Sequence, residues 1–113
     1  MEDIYVQSLM LDQYGELLTQ KQRDILQMYL SEDLSLGEIG QILGISRQGV
    51  SDSIHRSLSI LEKTENKLHI AHRSRRIAQL IDEAADMIHQ QRPGEEIVLV
   101  LDKIRELALS GEE

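Results

Sequence analysis

The sequence predicts an all-α protein: a helix-turn-helix module, a long helix following it, and further helices at the C-terminal end. Three observations carry this. Apolar residues recur at three-to-four spacing along most of the chain, as the buried stripe of a helix requires. Serine or threonine caps stand immediately before those stripes. The composition also lacks what a sheet needs: there is no Phe or Trp, only three Tyr, one proline and no Val/Thr/aromatic alternation.

The first helix is expected from about Ile4 to Leu18, with Val6, Leu9, Met10, Tyr14 and Leu17 recurring on one face. Gly15 weakens it by ~1 kcal/mol relative to alanine. Thr19 reads as the N-cap of the next helix, with Gln22 completing a capping box. That helix carries Ile25, Leu26, Met28, Tyr29 and Leu30 and should end near Glu32-Asp33. Ser35 opens a short helix with Glu38 at its third position, and Gly44 suits a tight exit from it. Ser46 caps the long helix that follows, on which Val50, Ile54, Leu58, Leu61 and Leu68 keep a four-three rhythm that Glu65 interrupts. A second stripe, Ile77, Leu80, Ile81, Ala84, Ala85 and Ile88, runs about two positions out of phase, which predicts a break between about His69 and Ser74. Pro93-Gly94 is a stop, and Glu95 to Leu109 reads as a last helix.

The motif with most information lies between Ser35 and Ile54. A helix-turn-helix needs a small residue where its helices cross, a turn-former between them, and apolar residues pinning them together. Gly40 permits the crossing and Gly44 makes the turn, while Ile39, Leu43, Ile45, Val50 and Ile54 close the core. The expected organisation is a domain over residues 1–70, with its core at 18–61, a helical extension at 71–109 and a frayed tail at 110–113.

The run from Leu18 to Ile70 resembles the YlxM-type family of DNA-binding proteins from Gram-positive bacteria. The residues that carry the likeness are Leu18-Thr19, Lys21-Gln22-Arg23, Glu32-Asp33-Leu34-Ser35-Leu36, Glu38-Ile39, Leu43-Gly44-Ile45-Ser46-Arg47-Gln48 and Lys67-Leu68. More distantly the run is similar to the promoter-binding C-terminal domain of sigma factors. The resemblance implies a sigma-like helix-turn-helix acting by binding. Because the family occurs beside the signal recognition particle GTPase, it also implies that GTPase and its RNA as partners. The chain departs from the family where alanine, tyrosine and lysine are expected along the recognition helix and Gly49, Ser51 and His55 stand instead.

If the module reads DNA, the N-terminal part of its second helix enters the major groove. Arg47 and Gln48 would read base edges, with Ser51 and His55 nearby, while Ser46 and Arg56 hold phosphates and Lys21 and Arg23 add backbone contacts. Asp52 would repel phosphate unless it accepts from a cytosine or pairs with Arg56. The formal net charge of −8 opposes a polyanion, but its distribution is uneven: −5 over residues 1–33, zero over 34–69, +1 over 70–92 and −4 over 93–113. Only the middle of the chain is electrostatically open to nucleic acid. A second candidate surface is the cluster His69, His72, Arg73, Arg75 and Arg76, suited to RNA phosphate or an acidic partner, or simply a solvated hinge. The C-terminal stripe from Ile77 to Leu109 serves either as core or as a homodimer seam. Three readings of function stay open: an accessory protein of the signal recognition particle, a transcriptional regulator, or a protein adaptor.

No enzyme is expected: there is no phosphate-binding glycine loop, no HExxH and no paired nucleophile and base. No cofactor and no metal is expected either, since cysteine is absent and the i,i+3 pair His69 and His72 reads as a chance surface pair. The acidic N-terminus lacks a signal-peptide pattern and no stretch approaches the roughly 18 uncharged apolar residues that would cross a bilayer, so the expected setting is the cytoplasm.

Overall fold

In a computed structural model that describes residues 3–110, the protein is all-α. Among the described residues there are six helices and no strand: α1 (Ile4–Tyr14), α2 (Gln20–Leu30), α3 (Leu36–Leu43), α4 (Arg47–Leu68), α5 (Ile70–His89) and α6 (Gly94–Ser110). The chain divides into two compact units, Met1–Leu68 and His69–Glu113. Of the tail expected at 110–113, Ser110 closes α6 and residues 111–113 lie outside the described residues.

In the first unit α4 is the spine on which α1, α2 and α3 all pack. The core is aliphatic: Val6, Met10, Ile25, Leu26, Ile39, Val50 and Leu61 are each at most 1% exposed. Burying a side chain of this size is worth about 1.5–3 kcal/mol relative to leaving it in water. Both capping boxes form. Thr19 Oγ1 accepts from Gln22 N–H at 3.1 Å while Gln22 Oε1 accepts from Thr19 N–H at 3.0 Å, and Ser35 and Glu38 repeat the exchange at 3.1 and 3.0 Å.

The first helix is shorter than its periodicity suggests. It ends at Tyr14 and passes into a 3-10 turn, Gly15–Leu17, which changes the angular step per residue. Leu17, expected inside, is 58% exposed, and Leu11 and Leu18 are buried instead. Met28, Leu9 and Leu58 are half-buried, while Tyr29 and Leu68 are exposed.

Glu65 does not interrupt the α4 stripe; it belongs to it. The residue is 2% exposed, and the Tyr14 hydroxyl donates to its Oε1 at 2.7 Å. A buried hydrogen bond of this kind offsets part of the cost of taking a carboxyl group from water. Ser57, fully buried, stands on the same face, and its Oγ has no hydrogen-bond partner.

The break between helices falls at His69, whose φ of 58° puts it in the left-handed region and shifts the phase of the stripe that follows. In the second unit α5 and α6 form a hairpin around Leu80, Ala84, Val100 and Leu107, with Ile77, Met87, Ile97 and Ile104 partly buried against them. Helix α5 stops before Pro93. Gln91 takes the left-handed conformation, and its N–H and that of Arg92 donate to the carbonyls of Ile88 and Met87, both at 3.0 Å. Ile81, Ala85 and Ile88, expected in the buried stripe, are exposed. No helix of the described residues is long and apolar enough to cross a membrane.

Candidate nucleic-acid interface

The interface is set by one close approach. The Gly40 carbonyl accepts from the N–H groups of both Gly44 and Ile45, the latter at 3.0 Å, which folds the chain back over α3. Gly44 permits this with a φ of 70°. A Cβ on Gly40 would lie 2.7 Å from the Ile45 carbonyl oxygen, so only glycine fits where the turn crosses the helix. Ser46 then starts α4, its Oγ accepting from the Gly49 N–H at 2.9 Å, and its own O–H remains to donate. Val50 and Ile54, both buried, fix which way the helix is rolled. Arg47, Gln48, Asp52, His55 and Arg56 are consequently exposed, with Ser51 half-buried at the edge.

The solvent face of α4 is not a simple row of donors. With the buried face marked by Val50, Ile54 and Ser57, the helical step of about 100° per residue puts Asp52 at the centre of the opposite face. Its carboxylate accepts from Gln48 Nε2 at 2.9 Å, not from Arg56. The amide that would read an adenine edge is therefore already engaged within the helix. His55 turns back on its own helix as well, its Nδ1 lying 2.9 Å from the Ser51 carbonyl. With the proton on Nδ1 the ring donates to that carbonyl, and Nε2 is left as an acceptor.

The cations divide between two sides of the unit. Lys21 and Arg56 line a cleft of about 360 Å³ between the start of α2, the turn at Ile45 and α4, with Asp52 and Ser53 between them. Arg23 lies elsewhere, in a separate hollow formed with Leu11, Gly15 and Gln27, with its guanidinium 3.7 Å from Glu16. The structure thus places Lys21 and Arg56 together in this cleft, Ser46, Arg47 and Gln48 exposed at the start of α4, Ser51 and His55 in a separate hollow on the other flank of α4 with Ile4, Tyr29 and Asp33, and Arg23 apart from all of them. Ser53 joins the cleft, and sequence reasoning did not single it out; its position three residues before Arg56 on one helix face was the available signal.

Glu38 lies on α3, exposed. Its carboxyl is held below the ordinary value of 4.5, first by the Ser35 backbone N–H that donates to it and then by the Ser35 hydroxyl. In the second basic cluster His69 and His72 are exposed, whereas Arg73, Arg75 and Arg76 are only partly so. Among the described residues no group of three or more His, Cys, Asp or Glu is arranged to hold a metal ion.

Comparison with known proteins agrees with this architecture. A family model described as "Putative helix-turn-helix protein, YlxM / p13 like" matches residues 1–100. A UPF0122 protein of Acetivibrio thermocellus is 49% identical over 73 residues, covering 65% of this chain and 62% of the relative. One from Thermoanaerobacter sp. strain X514 is 42% identical over 106 residues, 91% of either chain. One from Clostridium kluyveri is 37% identical over 115 residues, spanning 98% of this chain and 99% of its own.

Proposed function

The chain belongs to the YlxM/p13-like family of helix-turn-helix proteins, and from that premise we propose that it is a nucleic-acid-binding accessory protein whose contact surface is the N-terminal half of α4. The observation that carries the reading is the close crossing at Gly40. It fixes the turn so that Ser46 and Arg47 stand exposed at the start of a long helix, where a positive helix end and a guanidinium face solvent together. Arg47 is the base-edge reader, Ser46 and Arg56 hold phosphates, and Lys21 holds a phosphate across the cleft. Gln48 and Ser51 are secondary readers, Gln48 only once it leaves Asp52. Arg23 serves the internal packing of the first unit.

Two or three phosphate contacts give weak binding with a modest salt slope. At about −0.9 per contact, affinity for duplex DNA should fall about 10- to 40-fold between roughly 50 and 200 mM salt. Arg47→Ala should cost about 1–3 kcal/mol and reduce discrimination between sequences. Asp52→Ala removes a carboxylate from the centre of the face and frees Gln48, so it should bind more tightly than the wild type. Salt-independent binding would remove duplex DNA as the ligand, and an Arg47→Ala variant with unaltered affinity and discrimination would remove Arg47 as its reader. The family resemblance adds the signal recognition particle pathway as the setting, with its GTPase and RNA as partners. A pull-down with the purified GTPase and RNA, each alone, checks that separately: retention by neither one removes the pathway from the proposal.

A further inference from the structure

We infer that the uncovered side of the α5–α6 hairpin is the contact surface for a second copy of this chain, two hairpins closing into a four-helix bundle. The inference stands on the second unit alone and does not depend on nucleic-acid binding.

The geometry follows from helical phase. On α5 the contact with α6 is marked by Ile77, Leu80, Ala84 and Met87, and on α6 the contact with α5 by Ile97, Val100, Ile104 and Leu107. At about 100° per residue, Ile81, Ala85 and Ile88 lie roughly a quarter-turn from the α5 stripe. Val98, Leu101 and Ala108 lie on the same side of the α6 stripe by a comparable turn. The two helices are antiparallel, joined by only four residues between His89 and Gly94. In an antiparallel pair, equal offsets in the same rotational sense project to one common side. The six residues therefore share one side of the hairpin, which the same phase gives to Arg105 as well, while Gln79, Asp82, Glu83 and Asp86 line a hollow away from it.

That face is open. Ile81 is 52% exposed, Ile88 59%, Val98 52% and Leu101 50%. Together with Ala85 and Ala108 they present about 450 Å² of apolar surface, the size of the largest patch on an ordinary monomer, which is often functional. Two copies would bury about 900 Å² between them, just under the roughly 1,000 Å² that a specific interface is expected to clear. The hairpin also has reason to be covered: its cluster of buried residues consists of only Leu80, Ala84, Val100 and Leu107, too few to stabilise two helices well. A second hairpin supplies the missing layers, and Ala85 and Ala108 let the helices approach.

Net charge does not select the occupant: residues 93–113 carry a net −4, which opposes an anionic bilayer or a polyanion and repels a second copy as well, so a copy is favoured only through opposite charges that meet at the seam. Arg105, exposed on this side, makes no ion pair among the described residues. Asp82 and Asp102 lie at the outer edges of the same hairpin, so the chain carries both signs that a self-complementary contact needs.

Sedimentation equilibrium of the full chain between about 1 and 100 μM tests this. The wild type should show twice the single-chain mass. Leu101→Glu, which puts a carboxylate into the seam on each copy, should weaken association about a hundredfold with helicity unchanged. Leu99→Glu is the control: Leu99 is 64% exposed but lies on the opposite side of α6, so that variant should remain a dimer. A wild type of single-chain mass at the highest concentration overturns the inference, and so does a dimer that Leu99→Glu dissociates and Leu101→Glu does not. A single-chain wild type that co-floats with zwitterionic phosphatidylcholine vesicles overturns it too, and gives the face to a lipid surface.

Discussion

Replacing Gly40 by alanine isolates the contact that sets the start of α4. The new Cβ would sit 2.7 Å from the Ile45 carbonyl oxygen, with the Arg47 nitrogen and the Ser46 carbonyl carbon both at 3.6 Å. The second pair are ordinary contacts, but the first is about 0.6 Å too close, and the atom it meets is backbone. It cannot swing aside as a side-chain tip would, because the Ile45 N–H is itself held by the Gly40 carbonyl at 3.0 Å. Overpacking against a rigid neighbour costs about 1–3 kcal/mol, here toward the upper end. Alanine in place of helical glycine returns about 1 kcal/mol of propensity. The net expectation is a loss of about 1–2 kcal/mol, read as a lower urea midpoint at unchanged m-value. Gly37→Ala supplies the comparison. Gly37 is exposed in the first turn of the same helix, and a Cβ there would meet only Ser35 Oγ, at 4.0 Å. That variant should gain up to about 1 kcal/mol. Opposite signs for one substitution, three residues apart, are what the crossing requires. A Gly40→Ala protein as stable as Gly37→Ala would refute the reasoning.

Other measurements bear on the rest of the first unit. Tyr14→Phe removes one donor to a carboxyl group that is 2% exposed, and thermal unfolding should show a loss of about 1–3 kcal/mol; no change would mean the bond contributes nothing. Ser57→Ala should stabilise by about 1 kcal/mol, since the buried hydroxyl has no partner and alanine is the better helix former; a destabilised variant would show that the hydroxyl is satisfied in solution. The Glu38 carboxyl is held below 4.5 in the folded chain, so its contribution is present above that value and lost as pH falls through the lower folded value. Glu38→Gln keeps an acceptor but cannot ionise, so its melting temperature should fall less steeply below about pH 4.5 than that of the wild type; parallel acid profiles would contradict this.

How much was legible in the sequence depended on the distance over which each interaction acts. The caps at Thr19, Ser35 and Ser46 bond three residues ahead, and their partners can be read directly from spacing. The crossing at Gly40 was legible for a related reason: a side-chain-free position, a turn glycine and an apolar frame fall in one short window. The Tyr14–Glu65 bond spans 51 residues and leaves no local signal, so the buried glutamate read as an interruption of its stripe. Periodicity also assumes a constant angular step. The 3-10 turn at Gly15 breaks that step, which is why Leu17 faces water and Leu18 does not. In the candidate interface the residue types were readable but their engagements were not. Asp52 has exposed neighbours four residues away on both sides, and spacing alone does not say that it takes Gln48 in place of Arg56.

The proposed function requires that Arg47 and its neighbours meet the ligand from the start of α4. Titrating the ¹⁵N-labelled chain with duplex DNA, amide by amide, tests that claim most directly. Shift changes should be largest at Ser46, Arg47, Gln48 and Ser51, extend to Lys21 across the cleft, and leave Arg23 nearly still. Changes confined to residues 69–76, or none at DNA concentrations well into the millimolar range, would contradict it.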